Sequence, residues 1–192
     1  ARQVFDPRPN YFAVLLWNKL MGTTVYDTEE PSREGAHVYA HSRKDGKDGV
    51  VYLNNTSFEV DGIKFYGCPH QPYFGGWAFN VPDCEKLINI YQMIPEDTDV
   101  LLTHCPPYGI LDQSHQPHYS NPTGENHLGS MELKEVLAEK NQCNNAPRVV
   151  AFGHIHGDGG KMMQVGDTLY INASLCDENY DPVNDIITID LT

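Results

Sequence analysis

Three histidines in this chain each follow a short apolar run of the kind that forms a strand: His104 after Asp99-Val-Leu-Leu-Thr103, and His154 with His156 after Arg148-Val-Val-Ala-Phe-Gly153. Imidazoles gathered at strand ends are a way for an α/β scaffold to hold a metal, and neutral imidazole is a good ligand for zinc, iron and manganese. Any one of these histidines alone reads as an ordinary hydrogen-bonded core or surface residue. The three together favour a metal site. A dinuclear catalytic centre also needs carboxylates to bridge and neutralise its cations, and no Asp or Glu cluster is placed to do so here. The sequence therefore predicts part of a metal site.

The local sequence around each histidine adds detail. In Gly153-His154-Ile155-His156-Gly157, extended backbone would send both imidazoles to one side and Ile155 into the packing, because strand side chains alternate with period two. The flanking glycines permit positive φ, which would let the loop curl around an ion. After His104 and Cys105, Pro106 and Pro107 fix φ and remove two backbone donors, so the strand must stop and leave the His104 ring at a sheet edge. Cys105 itself has no partner spacing and reads as a small buried residue.

The elements that must position these residues can be read along the chain. Asn10 to Met21 has a helical pattern with Asn10 as N-cap and Gly22 beyond its end, and Thr23 to Gly49, rich in charge, Gly and Pro, reads as loop. Val50-Val-Tyr-Leu53 and Ser57-Phe-Glu-Val60 lead into an Asp61-Gly62 turn and Ile63-Lys-Phe-Tyr66, which predicts a hairpin with a type I′ turn. A helix is predicted from Asp83 to Met93, closed by Pro95, and another over Met131 to Lys140. Val100-Leu-Leu102 and Val149-Val-Ala-Phe152 are short and wholly apolar, as in strands covered on both faces. Between them lies a long connection, Cys105 to Leu128, of the length usual for a lid or binding loop. Lys161–Val165, Thr168–Ile171 and Ile186–Ile189 are expected to complete a mostly antiparallel tail.

Composition narrows the function classes. With 192 residues, 40% of them hydrophobic, residues 1–192 read as one soluble domain. Thirteen Lys plus Arg against 26 Asp plus Glu give a net charge of −13, which argues against extended nucleic acid and anionic membrane as partners. A small phosphorylated ligand stays compatible, because a bound cation reverses the potential locally. No apolar run approaches the length of a membrane span, and the opening residues lack a secretory leader's pattern. The start at Ala1 rather than Met reads as a processed or excised piece. Five cysteines without a CxxC pair argue against a disulfide framework and a thiolate zinc site, and favour a reducing, cytoplasmic home. Asn54, Asn55 and Asn172 head glycosylation triplets, but Asn172 falls in an apolar strand pattern where a glycan would not fit.

A set of short segments, in order, resembles a known family. Gly62-Ile-Lys-Phe-Tyr-Gly67, Gly76-Trp-Ala-Phe-Asn80, Thr103-His-Cys-Pro-Pro107, His127-Leu-Gly-Ser130, Gly153-His-Ile-His156 and Tyr170-Ile-Asn-Ala-Ser174 resemble the calcineurin-like metallophosphoesterases, in particular the metallophosphoesterase-domain proteins related to brain cyclic-nucleotide phosphodiesterases. The resemblance implies a two-metal hydrolase with an α/β fold, a β-sandwich flanked by helices in α/β/β/α layers, of which this chain would be a C-terminal portion. It implies that His104 and His154 share one divalent ion (Mn, Fe or Zn) and that His156 binds its neighbour, with small nucleotides or other phosphodiesters as substrate.

The family's Asp-x-His, Gly-Asp-x-x-Asp and Gly-Asn-His motifs do not precede this region; Gly124-Glu-Asn-His127 imitates the last but falls after His104. The expectation is thus at most one ion on this chain, little phosphodiesterase activity by it alone, and a missing segment or an oligomer covering exposed strand edges. The alternatives are a non-catalytic binding or scaffold protein of the same family and an unrelated histidine-based zinc domain. His127 is a candidate substrate-binding residue because it adjoins a helix start at Gly129-Ser130, where backbone N–H groups can receive an anion. His70, His115 and His118 lie in loops. Tyr73, Phe74, Trp77 and Phe79 are expected to fill the core beneath the hairpin, with stacking on a nucleobase as the alternative.

Overall fold

A computed structural model describes residues 53–116 and 126–191, together with the backbone of three short strands nearer the start of the chain. The chain divides into two units, Ala1–Tyr52 and Leu53–Thr192. In the first, β1 (Met21–Tyr26), β2 (Ala40–Arg43) and β3 (Gly49–Val50) form an antiparallel sheet in that order. These strands fall largely where the sequence predicts loop. β2 and β3 are too short to show a hydrophobic period, and Met21-Gly-Thr-Thr-Val-Tyr26 of β1 has no alternation of apolar and polar residues, although Thr23, Thr24 and Val25 favour extended backbone. The helix expected over Asn10–Met21 lies outside the described residues apart from Met21, which opens β1.

The second unit begins with the predicted hairpin, β4 (Thr56–Val60) and β5 (Ile63–Cys68), in full register. Asp61 (φ 52°) and Gly62 (φ 78°) both take positive φ, as a type I′ turn requires. A two-residue parallel pair follows, β6 (Gln71–Pro72) with β7 (Asn80–Val81). Helix α1 (Cys84–Gln92) is capped by Asp83, whose carboxylate accepts from Lys86 N at 3.2 Å. Then come β8 (Val100–Thr103), α2 (Met131–Gln142), β9 (Val149–Phe152), β10 (Met162–Val165) and β11 (Thr168–Asn172).

Six strands make one mixed sheet in the order β10-β11-β9-β8-β5-β4. The four inner strands β5, β8, β9 and β11 are mutually parallel, and β4 and β10 are antiparallel edges. The α/β class is as predicted. Of the expected antiparallel tail, β10 and β11 do pair antiparallel, while β11 joins β9 in parallel.

Alternation along the strands divides the core. Tyr66, Leu101, Val150 and Tyr170 face Leu87 and Tyr91 of α1 and Leu133, Val136 and Leu137 of α2. Val100, Val149 and Ile171 form a smaller cluster on the opposite face with Ile63, Phe65 and Leu169. That face is only partly covered, since Leu102 stays 39% exposed, against the expectation for β8. Ile186–Ile189 does not form a strand; Ile187, Ile189 and Leu191 pack on this face with period two but without a ladder.

Ser130 caps α2, its Oγ accepting from Leu133 N at 3.1 Å. Ser130→Ala is expected to lower unfolding free energy by about 1 kcal/mol in a urea titration. Among the described residues no helix is long and apolar enough to cross a membrane.

Candidate metal centre

Because β5, β8, β9 and β11 run the same way, the loops leaving them gather at one edge of the sheet, carrying His70, His104, His154 and Ser174. The carboxyl edge of parallel strands is where α/β sheets build ligand sites. β8 stops at Thr103, and the buried Pro106 and Pro107 hold the chain that follows His104. Gly153 N donates to His104 O at 3.1 Å, lacing the exits of β8 and β9 together. The rings of His104 and His154 then stand 4.6 Å apart between centroids, with 42° between planes.

The loop between the two motif histidines is not a continued strand. His154 itself takes positive φ (66°), and Ile155 N donates to Gly153 O at 2.7 Å, closing a γ-turn of the rare, strained hand. The positive φ predicted for a flanking glycine thus falls on the histidine, and His156 opens a 3-10 turn, His156–Asp158. Ile155 is buried as predicted, and its carbonyl accepts from Asn172 Nδ2 at 2.7 Å. The same amide donates to Leu111 O at 3.0 Å, while Asn172 Oδ1 accepts from Ser174 N at 3.1 Å. Asn172 is fully buried, so its side chain has no room for a glycan.

The electrostatics favour neutral rings. Burial, and after it the neighbouring His104 and His156, pushes His154 down to about 4. Protein packed around His104 lowers it as well, although part of that residue remains open to solvent. At neutral pH both present lone pairs, the form that binds a cation. His156 Nδ1 donates to Asp177 O at 2.8 Å, which leaves Nε2 free, and Tyr180 meets its ring edge-on at 5.2 Å.

Phe74 and Trp77 contact His154 edge-on at 5.4 and 5.6 Å and each other at 5.5 Å. They line a cavity of about 150 Å³ together with Leu128, His154, His156 and Tyr180. The aromatic cluster does not fill the core beneath the hairpin: Tyr73, Trp77 and Phe79 are all exposed. Across the cavity's polar rim, Ser114 Oγ donates to Glu178 Oε1 at 2.5 Å and Gln116 Nε2 donates to Glu178 O at 2.9 Å.

His127 sits apart from the histidine pair in hydrogen bonding: its Nδ1 meets Asp112 Oδ1 at 2.5 Å. The N–H groups expected to receive a ligand anion at the start of α2 are engaged within the protein, Gly129 N by Asp112 Oδ2 and Ser130 N by Pro106 O, each at 2.9 Å. His70 packs edge-on against Phe79 at 5.7 Å, and His115 Nε2 lies 3.1 Å from Gly157 O. His118 is outside the described residues. Sequence reasoning missed Asn172 as the anchor of the histidine loop, Asp112 behind His127 and the Asp177 carbonyl behind His156; only the lone acid in Gly109-Ile-Leu-Asp112 carried a signal.

Two facing neutral imidazoles, with a third in electrostatic reach, suit part of the coordination of a borderline cation. Among the described residues no group of three or more His, Cys, Asp or Glu side chains is arranged to hold an ion. The described residues therefore fit a fraction of a metal site and do not by themselves complete a two-ion centre.

No protein-family model matches the chain. Over 141 residues, 73% of the chain, it is 41% identical to metallophosphoesterase domain-containing protein 1 of Homo sapiens and, to the same extent, to that of Mus musculus. It is 33% identical over 150 residues, 78% of the chain, to a UPF0046 protein of Caenorhabditis elegans, of which it covers 35%. The chain spans about 40% of the length of the first of these relatives. The order of motifs and this shared stretch agree, and the chain belongs to the metallophosphoesterase-domain-containing family.

Proposed function

We propose that the chain contributes to a divalent-metal phosphodiesterase site acting on small nucleotides, with His104 and His154 on one ion, His156 on its neighbour and His127 contacting substrate. The observation that carries this is the pairing of the His104 and His154 rings at the carboxyl edge of four parallel strands, held by a strained turn at His154. Bound there, divalent ions would polarise a phosphoryl oxygen and activate water as nucleophile. The chain's own part is to present neutral imidazoles, hold their orientation through Asn172 and Asp177, and offer Phe74 and Trp77 to a planar group.

The incomplete ligand set favours at most one ion per chain and little turnover by the chain alone, and it supports a second reading in which the chain serves as a binding or scaffold protein. Titration with Mn²⁺ and Zn²⁺ followed by calorimetry, with an aryl phosphodiester assay in parallel, tests this; two equivalents bound together with robust turnover would overturn it. Replacing Trp77 with alanine should weaken nucleotide binding by about 1 kcal/mol, roughly fivefold, in a fluorescence titration. All five cysteines are free thiols, which supports a reducing, cytoplasmic setting. The apolar edge residues Phe58, Val60, Met162 and Val165 support a further segment or a second copy covering β4 and β10.

A further inference from the structure

The segment Gly76-Trp-Ala-Phe-Asn80 ends on an amide that closes the loop it belongs to. Asn80 opens β7, whose pairing with β6 sets it opposite Gln71, and Gln71 N donates to Phe79 O at 3.1 Å. From this foot the Asn80 side chain reaches back across the turn. Its Oδ1 accepts from Phe74 N at 3.2 Å and from Gln71 Nε2 at 3.1 Å, and its Nδ2 donates to Phe74 O at 3.1 Å and Gly75 O at 3.2 Å. One carboxamide therefore holds both the N–H and the carbonyl of Phe74, with two bonds accepted and two donated. Neither a carboxylate nor an apolar side chain could make all four.

The loop so closed carries the aromatic wall beside the histidines. Gly75 (φ 53°) and Phe79 (φ 60°) take left-handed backbone to turn the chain, a conformation that a phenylalanine keeps only where its surroundings hold it. Trp77 N donates at 3.4 Å to Phe74 O, the same carbonyl that Asn80 binds. At the foot, the buried Tyr91 of α1 donates its hydroxyl to His70 O at 2.9 Å, tying the loop to the core. The tip is thinly packed: Trp77 is 49% exposed, and a Cβ added at Gly76 meets no described atom within 4 Å. There Asn80 supplies the restraint that packing supplies in the core.

We propose that Asn80 is a positioning residue that preforms this wall, so that a planar ring on the ligand lies against Phe74 and Trp77 while its phosphate faces the histidines. The selection it confers is for a nucleotide over a phosphoester that lacks a base. The inference rests on the phosphoesterase reading for its ligand class. A wall already in place spares the ligand the cost of ordering the aromatic side chains, roughly fivefold in affinity.

The test is calorimetric titration of the 192-residue chain, with Mn²⁺ present, by adenosine 5′-monophosphate and by ribose 5-phosphate. The wild type should prefer the nucleotide. Asn80→Asp keeps the acceptor for Phe74 N but sets a charge against the Phe74 and Gly75 carbonyls; it should weaken the nucleotide roughly fivefold and leave ribose 5-phosphate unchanged. Asn80→Ala, which adds no charge, should do the same. In a Trp77→Ala background either change should cost clearly less, because one of the rings it positions is gone. Without ligand, the Trp77 indole ¹⁵N signal, identified by its loss in Trp77→Ala, should become more mobile in Asn80→Asp while the melting temperature stays close to that of the wild type. A wild type without nucleotide preference, equal weakening of both ligands, or a wild-type indole as mobile as the variant's would each overturn the proposal. Absent metal-stimulated turnover with the nucleotide preference intact would remove the phosphoesterase reading and leave this one standing.

Discussion

His154→Ala is expected to lower the affinity of the chain for Mn²⁺ or Zn²⁺ by roughly 100-fold, about 2.8 kcal/mol, as measured by calorimetry. The size follows from what this ring contributes. Among the described residues it is the imidazole in contact with His104, and its neutral state is secured by burial and by both neighbouring histidines. Its backbone is held in a positive-φ turn that alanine adopts less readily than histidine, so the variant also relaxes the turn that aims the loop. His104→Ala should show a loss of similar size, and the double variant little beyond either, because two donors to one ion act as a unit. If His154→Ala binds metal like the wild type, these two rings are a packed pair and not ligands.

Gly129→Ala is expected to destabilise the chain by about 3 kcal/mol and to lower its melting temperature by roughly 6–12 °C. A Cβ at this position would lie 2.7 Å from the Pro107 carbonyl carbon and oxygen and 2.8 Å from Asp112 Oδ2. None of these is the free end of a flexible side chain. Pro107 is buried backbone directly downstream of His104, and Asp112 is the fully buried carboxylate that holds His127. The methyl group can be accommodated only by separating those two loops. Gly76→Ala is the matched comparison: nothing lies within 4 Å of its added Cβ, and its unfolding free energy should change by less than about 0.5 kcal/mol. Equal melting temperatures for the two variants would mean that the crossing at Gly129 is loose enough to absorb a methyl group.

Most of the scaffold of the second unit was legible in the chain because its signals are local. The type I′ pair Asp61-Gly62, the apolar runs before His104 and Gly153, and the spacing of Leu87 and Tyr91 each dictate an element without reference to the rest. The pairing of His104 with His154 was legible at one remove, through the inference that both follow buried strands. What escaped is set by long-range contact. Among residues 21–50, β2 and β3 carry too few residues for a period to show, and β1, Met-Gly-Thr-Thr-Val-Tyr, has no alternation to read. The Ile186–Ile189 stretch has a strand's alternation and finds a sheet face to cover, but no ladder partner. The helix start at Gly129-Ser130 looked like an anion site and is one, except that its anion is Asp112, 17 residues earlier than Gly129. The aromatic cluster looked like core, yet Phe74 and Trp77 border the cavity and Tyr73 and Phe79 are exposed.

Asn172 grips Leu111 O with one hydrogen and Ile155 O with the other, and Leu111 precedes Asp112 while Ile155 stands between His154 and His156. The arm bearing the carboxylate–imidazole couple and the arm bearing the motif histidines are therefore riveted to one hinge pin on β11. A substituent that displaces either arm will be felt by the other, so the two histidine groups should respond to a ligand as a single mechanical body, and isotope exchange at their loop amides should slow in concert.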